Sequence, residues 1–235
     1  MKRGTLYLLP TILNENSVEN SLTVLNIRCI QRLRYFIVEE IKTSRRLLRK
    51  TGVTSDFNDF HFLLFNEHSD KKHLEQYIEP LLQGHDMGIL SEAGLPCIAD
   101  PGSEIVKLAH LNKIKVVPLS GPSSIFLALM ASGFNGQNFV FHGYLPIEKT
   151  ARTRKIKEME NTIYSKDQTQ IFIEAPYRNL QLFHAIVTTC QTETILCIAT
   201  ELTTEKESIQ VKTVKEWKND IPDINKKPTV FLLYQ

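Results

Sequence analysis

The chain reads as an α/β protein on two observations. From residue 4 to about 142, short β-rich apolar runs ("TLYLLP", "YFIVEE", "FHFLLF", "DMGILS", "IKVVPLS", "NFVFHGY") alternate with segments of helical spacing. Two loops rich in Gly and Pro then fall between a run and a helical segment. The helical spacing is carried by Val18, Leu22, Leu25, Cys29 and Leu33, and later by Leu74, Ile78, Leu81 and Leu82. This β-α-β-α order predicts a mostly parallel sheet with helices on both faces, whose ligands sit beyond the carboxyl ends of the strands.

The pattern breaks at Gly143 and Pro146, and a boundary is expected near residue 145, giving domains over 1–145 and 146–235. The second half offers "TQIFIEA", the helical "YRNLQLFHAIVTTC", "TILCIATEL", "ESIQVKTV" and "PTVFLLYQ". More strands and fewer helices predict a smaller α/β or α+β domain with a mixed sheet. No internal repeat or low-complexity tract interrupts the chain.

With 235 residues, 42% of them apolar, the chain can bury a substantial core. A net charge of +2 is too small to mark a nucleic-acid binder by itself, so any basic surface must be local. Cys29, Cys97, Cys190 and Cys197 form no CxxC pair and read as reduced, mostly buried thiols, which predicts a cytoplasmic setting. "MKRGTLYLLPTILNE" lacks a signal-peptide core and cleavage site, and no stretch approaches the ~20 apolar residues of a membrane span. An unprocessed protein off the membrane is the expectation.

The first loop, "ILSEAGLPCIADPGSE" (Ile89 to Glu104), follows a strand and precedes a helix, and the second, "PLSGPSSIFLAL", repeats that arrangement. Gly94, Pro96, Pro101 and Gly102 let the backbone turn sharply and leave amides uncovered. Two such loops at one sheet edge make a pocket. Equally, such loops connect strands to helices in any α/β protein, and Asp100 or Ser103 could serve only as a helix cap. Neither loop is a P-loop or a G-x-G-x-x-G, which disfavours phosphate-anchored nucleotides and favours a neutral or zwitterionic ligand gripped by backbone.

"LYLLPT", "ILSEAGLPCIADPGSEIV", "VVPLSGPSS", "FHGYLP", "IFIEAPYRN", "ATELT" and "PTVFLL" together resemble, in order and spacing, the tetrapyrrole (corrin/porphyrin) methylase superfamily. The nearest branch is the ribosomal RNA small-subunit methyltransferase I family. The resemblance runs from about residue 5 to 235. It implies two α/β domains with S-adenosylmethionine (SAM) in a cleft between them, and a homodimer. Carried over residue by residue, it implies cofactor contacts at Pro10, Glu92, Gly94, Leu95, Ile98 and the run Ser120, Gly121, Pro122, Ser123 and Ser124. From the second domain it implies Glu174, Ala175, Ala199, Pro228 and Thr229. Leu95 stands where many tetrapyrrole methylases carry an acidic residue and the ribosomal branch a hydroxyl.

The substrate side departs further from the branch. The chain has "PTILNE" at Pro10 to Glu15 for P-T-P-I-G-N, Val38 to Lys42 for A-E-D-T-R, and Asn66 to Asp70 for H-D-H-N-E. The implied function is SAM-dependent 2′-O-methylation of small-subunit ribosomal RNA. Methylation of a tetrapyrrole-like small molecule, or SAM or RNA binding without catalysis, are the other readings.

Transfer from a sulfonium needs alignment and a polarised nucleophile, and no metal. A ribose hydroxyl calls for a base, and Glu39 and Glu40 at the end of the second strand are the candidates; their plainer role is an acidic helix start. Lys42, Arg45 and Arg46 on one helix, and Lys149, Arg152 and Arg154 in a second basic cluster, are candidate phosphate contacts or simply solvated faces. His68 is a further substrate-side candidate. Trp217 and the alternating phenylalanines read as core.

Overall fold

The computed structural model describes residues 2–14 and 18–235, so Glu15, the last residue of the divergent Pro10 to Glu15 segment, lies outside the described residues. The chain divides into two compact units, 1–123 and 124–235.

Unit 1 comprises β1 (Thr5–Leu9), α1 (Val18–Ser21), α2 (Val24–Arg32), β2 (Tyr35–Val38), α3 (Ile41–Lys50), β3 (His61–Leu64), α4 (Glu79–Leu82), β4 (Met87–Leu90), α5 (Ser103–Leu111) and β5 (Lys115–Pro118). Its five-stranded sheet has the order β3-β2-β4-β1-β5, and every pairing is parallel. Both faces are covered. Phe36, Val38 and Leu90 pack with Ile30, Leu47 and Leu48 on one side. On the other, Ile37, Met87 and Ile89 pack with Ile78, Leu81, Ile105 and Ala109. Alternate residues of one strand thus enter different cores, which is why these strands read as continuous apolar runs.

The single helix suggested by Val18 to Leu33 is two. Thr23 takes an extended conformation and its side chain accepts the Asn26 amide at 3.2 Å, starting α2 afresh. Leu25 is exposed as a result. The Leu74 to Leu82 segment is likewise not one helix: a 3-10 stretch ends at Tyr77, Ile78 caps it, and α4 then opens with Pro80 in its first turn.

Unit 2 comprises α6 (Ser124–Ser132), β6 (Phe139–Tyr144), α7 (Lys149–Lys166), β7 (Thr169–Ile173), α8 (Asn179–Thr189), β8 (Ile195–Thr200), β9 (Ser208–Thr213), α9 (Val214–Trp217) and β10 (Thr229–Tyr234). The sheet order is β6-β7-β10-β8-β9, with β6 and β7 parallel and the remaining pairs antiparallel. The boundary expected near residue 145 follows the run "NFVFHGY". That run is β6, hydrogen-bonded to β7, and α6 packs Ile125, Ala128 and Leu129 onto the same sheet. Trp217 is buried, its indole N–H donating to the Leu196 carbonyl at 2.9 Å and its ring edge-on to Phe183.

Candidate functional site

Three loops leave the carboxyl ends of β1, β4 and β5 and are tied to one another. The Thr11 amide donates to the Gly94 carbonyl at 2.8 Å, and the Thr11 hydroxyl reaches the same oxygen at 3.3 Å. The Asn26 side chain donates to the Ser120 carbonyl at 2.8 Å. Gly94 has φ +76°, and a Cβ there would press on Leu13 and the Pro122 carbonyl. A Cβ on Gly121 would overlap the Pro10 ring. The close approach that requires glycine at Gly121 is therefore made to Pro10 of its own unit.

Inside the Ser91 to Gly102 loop, Cys97 (φ 69°) and Ala99 (φ 64°) hold left-handed backbone without being glycine. Such a conformation costs an L-residue roughly 1–2 kcal/mol. Asp100 stabilises it, its two carboxylate oxygens accepting the Cys97 and Gly102 amides, each at 2.7 Å. Burial nonetheless pushes the Asp100 carboxyl above its ordinary value, against the two amide bonds, and burial pushes the Cys97 thiol to about 12. The helix-cap reading thus changes: Asp100 ties the loop, and α5 begins after Gly102 with no side-chain cap. Asp100→Ala is expected to lower unfolding stability by ~1–3 kcal/mol, the cost of two unpaired amides, measured by denaturant titration.

The two glutamates after β2 do different things. Glu40 is the N-cap of α3: its carboxylate accepts the Lys42 amide at 2.9 Å and the Thr43 amide at 2.7 Å, and these bonds hold its pKa below the ordinary value. Glu39 is half-buried and accepts the Glu92 amide at 3.1 Å. Burial raises its pKa against that bond, helped by the nearby charges of Asp100, Glu92 and Glu67. Glu92 in turn accepts the Thr43 hydroxyl at 2.7 Å.

A cavity of about 200 Å³ opens beside this cluster. Ile12, Leu13, Leu47 and Leu90 supply its apolar lining, Thr43, Ser91 and Glu92 its polar lining, and Arg46 and Lys50 line it from α3. Of the sequence-derived cofactor set only Glu92 lines this cavity; Leu95 is half-buried, Ile98 exposed, and Ser120 to Ser123 lie on the adjoining loop. Thr11, Thr43, Ser91 and Asp100 belong to the site although the sequence gives them no site role. The D-P-G turn around Asp100 is the one signal that points to any of them.

The basic helix α3 is divided. Arg45 lies over the rings of Phe57 and Phe62, both at 5.3 Å, and Arg49 over Phe57 at 4.2 Å, whereas Arg46 and Lys50, four residues apart, turn to the cavity. Lys42 is exposed at the start of the same helix. His68 is exposed on the loop after β3, beside Glu67 at 3.5 Å.

In unit 2 the antiparallel register brings the remaining candidates to one end of the sheet. Glu174 and Ala175 follow β7, Ala199 pairs with Val230, Pro228 precedes β10 and Thr229 opens it. Glu174 is buried and accepts the Arg178 side chain at 2.7 Å and the Ala175 amide at 2.7 Å. Thr229 is buried and accepts from Asn179 at 3.2 Å. Ser124 opens α6. The second basic cluster is the first part of α7, capped by Glu148, with Lys149 and Arg154 exposed. Arg152 is a correction to the phosphate-contact reading: it is only 4% exposed and donates to the Ile147 carbonyl at 2.9 Å, so it packs inward.

The pattern of the family described as Tetrapyrrole (Corrin/Porphyrin) Methylases matches residues 19–218. "Ribosomal RNA small subunit methyltransferase I" of Haemophilus influenzae is 30% identical over 198 residues, 83% of this chain and 67% of that protein. The protein of the same name from Buchnera aphidicola subsp. Schizaphis graminum is 30% identical over 208 residues, 88% of this chain and 69% of that one. Among solved structures, the methyltransferase CobJ aligns with a TM-score of 0.66 at 13% identity, covering 99% of this chain and 94% of that one, and so supports the fold. The two-sheet α/β architecture, the family pattern across most of the chain and these relatives agree: the chain is a methyltransferase belonging to the tetrapyrrole (corrin/porphyrin) methylase family.

Proposed function

We propose that the chain transfers the methyl group of SAM to a ribose 2′-hydroxyl of small-subunit ribosomal RNA. The observation that carries this reading is the cavity at the carboxyl ends of β1 and β4, where the cations Arg46 and Lys50 and the carboxylate Glu92 line one space beside Glu39. Cations suit a phosphate-bearing substrate, and a carboxylate suits a hydroxyl that must lose a proton. The related proteins of Haemophilus influenzae and Buchnera aphidicola are named for the same RNA.

SAM supplies an electrophilic methyl carbon whose departure from sulfur needs no further activation. What remains for the protein is placement and proton removal. In this proposal the Ser91 to Gly102 loop, tied by Asp100 and by Thr11, presents backbone to the cofactor together with Pro10, Leu95, Ile98 and Ser120 to Ser123. Glu174, Ala175, Ala199, Pro228 and Thr229 are proposed as the share of unit 2, with Ser124. Glu39 is the base: a carboxyl raised from its ordinary value accepts a proton more readily near neutral pH. Glu40, whose carboxylate is engaged by two α3 amides, positions that helix.

Lys42, His68, Lys149 and Arg154 are exposed, and we assign them outer contacts to RNA. A cytoplasmic homodimer completes the reading, supported by four free cysteines and by the apolar side chains of Phe126 and Met130, which α6 leaves exposed. No described helix is long and apolar enough to cross a membrane.

Incubation with tritiated SAM and small ribosomal subunits from cells lacking the protein tests the substrate: label in RNA supports the reading, and label only in an added porphyrin overturns it. Within α3, Arg46→Ala is expected to raise the KM for subunits and to flatten the salt dependence of RNA binding by about 0.7–0.9 log–log units, the share of one phosphate. Arg45→Ala is expected to lower stability by roughly 0.5–1 kcal/mol because the two rings are left uncovered, with the salt slope unchanged.

A further inference from the structure

Because every pairing in the unit 1 sheet is parallel, the amino-terminal ends of its strands share one edge. With strands of four or five residues at ~3.3 Å each, that edge lies about 13–17 Å from the carboxyl ends that carry the candidate active site. It has a chemistry of its own. His61 opens β3, Tyr35 opens β2, and His85 stands two residues ahead of β4. The pairing of Tyr35 with His61 on one side and Met87 on the other sets the three rings in a column. Ring centroids are 4.4 Å apart for Tyr35 and His61 and 4.7 Å for Tyr35 and His85, with interplanar angles of 14° and 27°. Both histidines are exposed.

Cations flank the column along the same edge: Lys2 and Arg3 ahead of β1, Arg32 and Arg34 ahead of β2, Lys113 and Lys115 at β5. The Arg34 guanidinium carbon lies over the Phe60 ring at 4.8 Å, and the side chain donates to the Gln31 and Leu33 carbonyls. The carboxylates here are Asp86 and Asp59. Asp86 accepts the Thr5 amide at 2.7 Å with one oxygen and faces the Arg32 guanidinium at 4.0 Å with the other, so it offsets Arg32 and leaves the remaining cations of the edge, and Asp59 precedes His61. A concavity of about 270 Å³ between Arg32, Arg34, Tyr35 and His85 opens beside the rings. In a chain of net charge +2, this edge concentrates positive charge around aromatic faces.

We propose that this edge is a second RNA surface, remote from methyl transfer. A single-stranded segment flanking the target stacks an unpaired base on an outer face of the His61–Tyr35–His85 column, in which Tyr35 is sandwiched between the two histidines, and its phosphates contact Arg3, Arg34 and Lys115. An exposed ring face beside cations is what sequence-tolerant binding of single strands uses. The proposal rests on the ribosomal RNA reading above and adds to it where the flanking RNA runs.

Two variants of the full chain test it, with a short fluorescent single-stranded oligoribonucleotide and with small ribosomal subunits. Arg3→Gln/Lys115→Gln is expected to reduce the log–log salt slope of oligonucleotide binding by about 0.7 for each phosphate no longer neutralised. It should raise the KM for subunits while kcat and SAM affinity stay at wild-type values. His61→Ala/His85→Ala is expected to weaken oligonucleotide binding by roughly fivefold or more with the salt slope unchanged. Wild-type slopes, affinities and KM in both variants would overturn the proposal while subunit methylation by the unaltered protein still stood. Absence of any RNA binding or methylation by the unaltered protein would overturn the ribosomal RNA reading and this proposal together.

Discussion

Glu39→Gln is expected to lower kcat by about two to four orders of magnitude while SAM affinity stays within a few-fold. Gln keeps the shape of Glu39 and can still accept the Glu92 amide, so the loop after β4 should remain in place. What disappears is the ability to take a proton from the nucleophile. The pH dependence carries the same signature. In the unaltered enzyme kcat should rise as pH passes upward through the raised pKa of Glu39, and in Glu39→Gln that limb should vanish.

Stability should move the other way. A carboxyl whose folded pKa lies above its unfolded value binds its proton more tightly in the folded state, so its contribution is present at low pH and is lost as pH rises through the raised value. At neutral pH the Glu39 charge therefore destabilises the fold. Glu39→Gln should melt at or above the wild-type temperature near pH 7. Glu40→Gln should behave oppositely, since its carboxylate, held below the ordinary value, stabilises α3 above the normal carboxylate range; removal of that charge should lower stability with little effect on kcat. A Glu39→Gln enzyme at wild-type single-turnover rates would leave proximity as the whole mechanism.

The second large effect is expected at Gly121. Gly121→Val puts a branched side chain where even a Cβ overlaps Pro10, and overpacking of this kind costs roughly 1–3 kcal/mol or more. Unit 1 should lose that stability in denaturant titration, and SAM binding should weaken because the β1 and β5 loops are forced apart. A double-mutant cycle separates the clash with Pro10 from a direct effect on the ligand. Once Pro10→Gly has cleared the ring, Gly121→Ala should cost less than it does in the wild-type background. An equal cost in both backgrounds would assign the demand for glycine to something other than Pro10.

Much of the fold was legible because buried parallel strands announce themselves. "YFIV" and "MGIL" send residues to two cores and so contain almost nothing polar. Helix continuity was less legible, since Thr23 starts a new helix within a run that keeps apolar spacing. The difference between Glu39 and Glu40 was beyond the sequence. Glutamate is not among the preferred N-caps, and only the fold shows that one carboxylate is turned to α3 amides and the other to the Glu92 amide. Arg152 read as basic surface because α7 has charged residues all round, and its burial is a matter of which side of the helix meets the core. The His61–Tyr35–His85 column required strand order and register, because its members are far apart along the chain. The cavity needed the adjacency of β1 and β4, strands far apart in sequence.

Ribose methylation leaves a signature that alkaline hydrolysis of the labelled RNA reads. Cleavage by base proceeds through attack of the 2′-hydroxyl on its own phosphate, so a methylated ribose leaves that linkage intact. After reaction of small ribosomal subunits with tritiated SAM, label is expected to survive exhaustive alkali in a dinucleotide and to accumulate there far more slowly with Glu39→Gln. Label recovered wholly in mononucleotides would place the methyl group on a base and contradict ribose methylation.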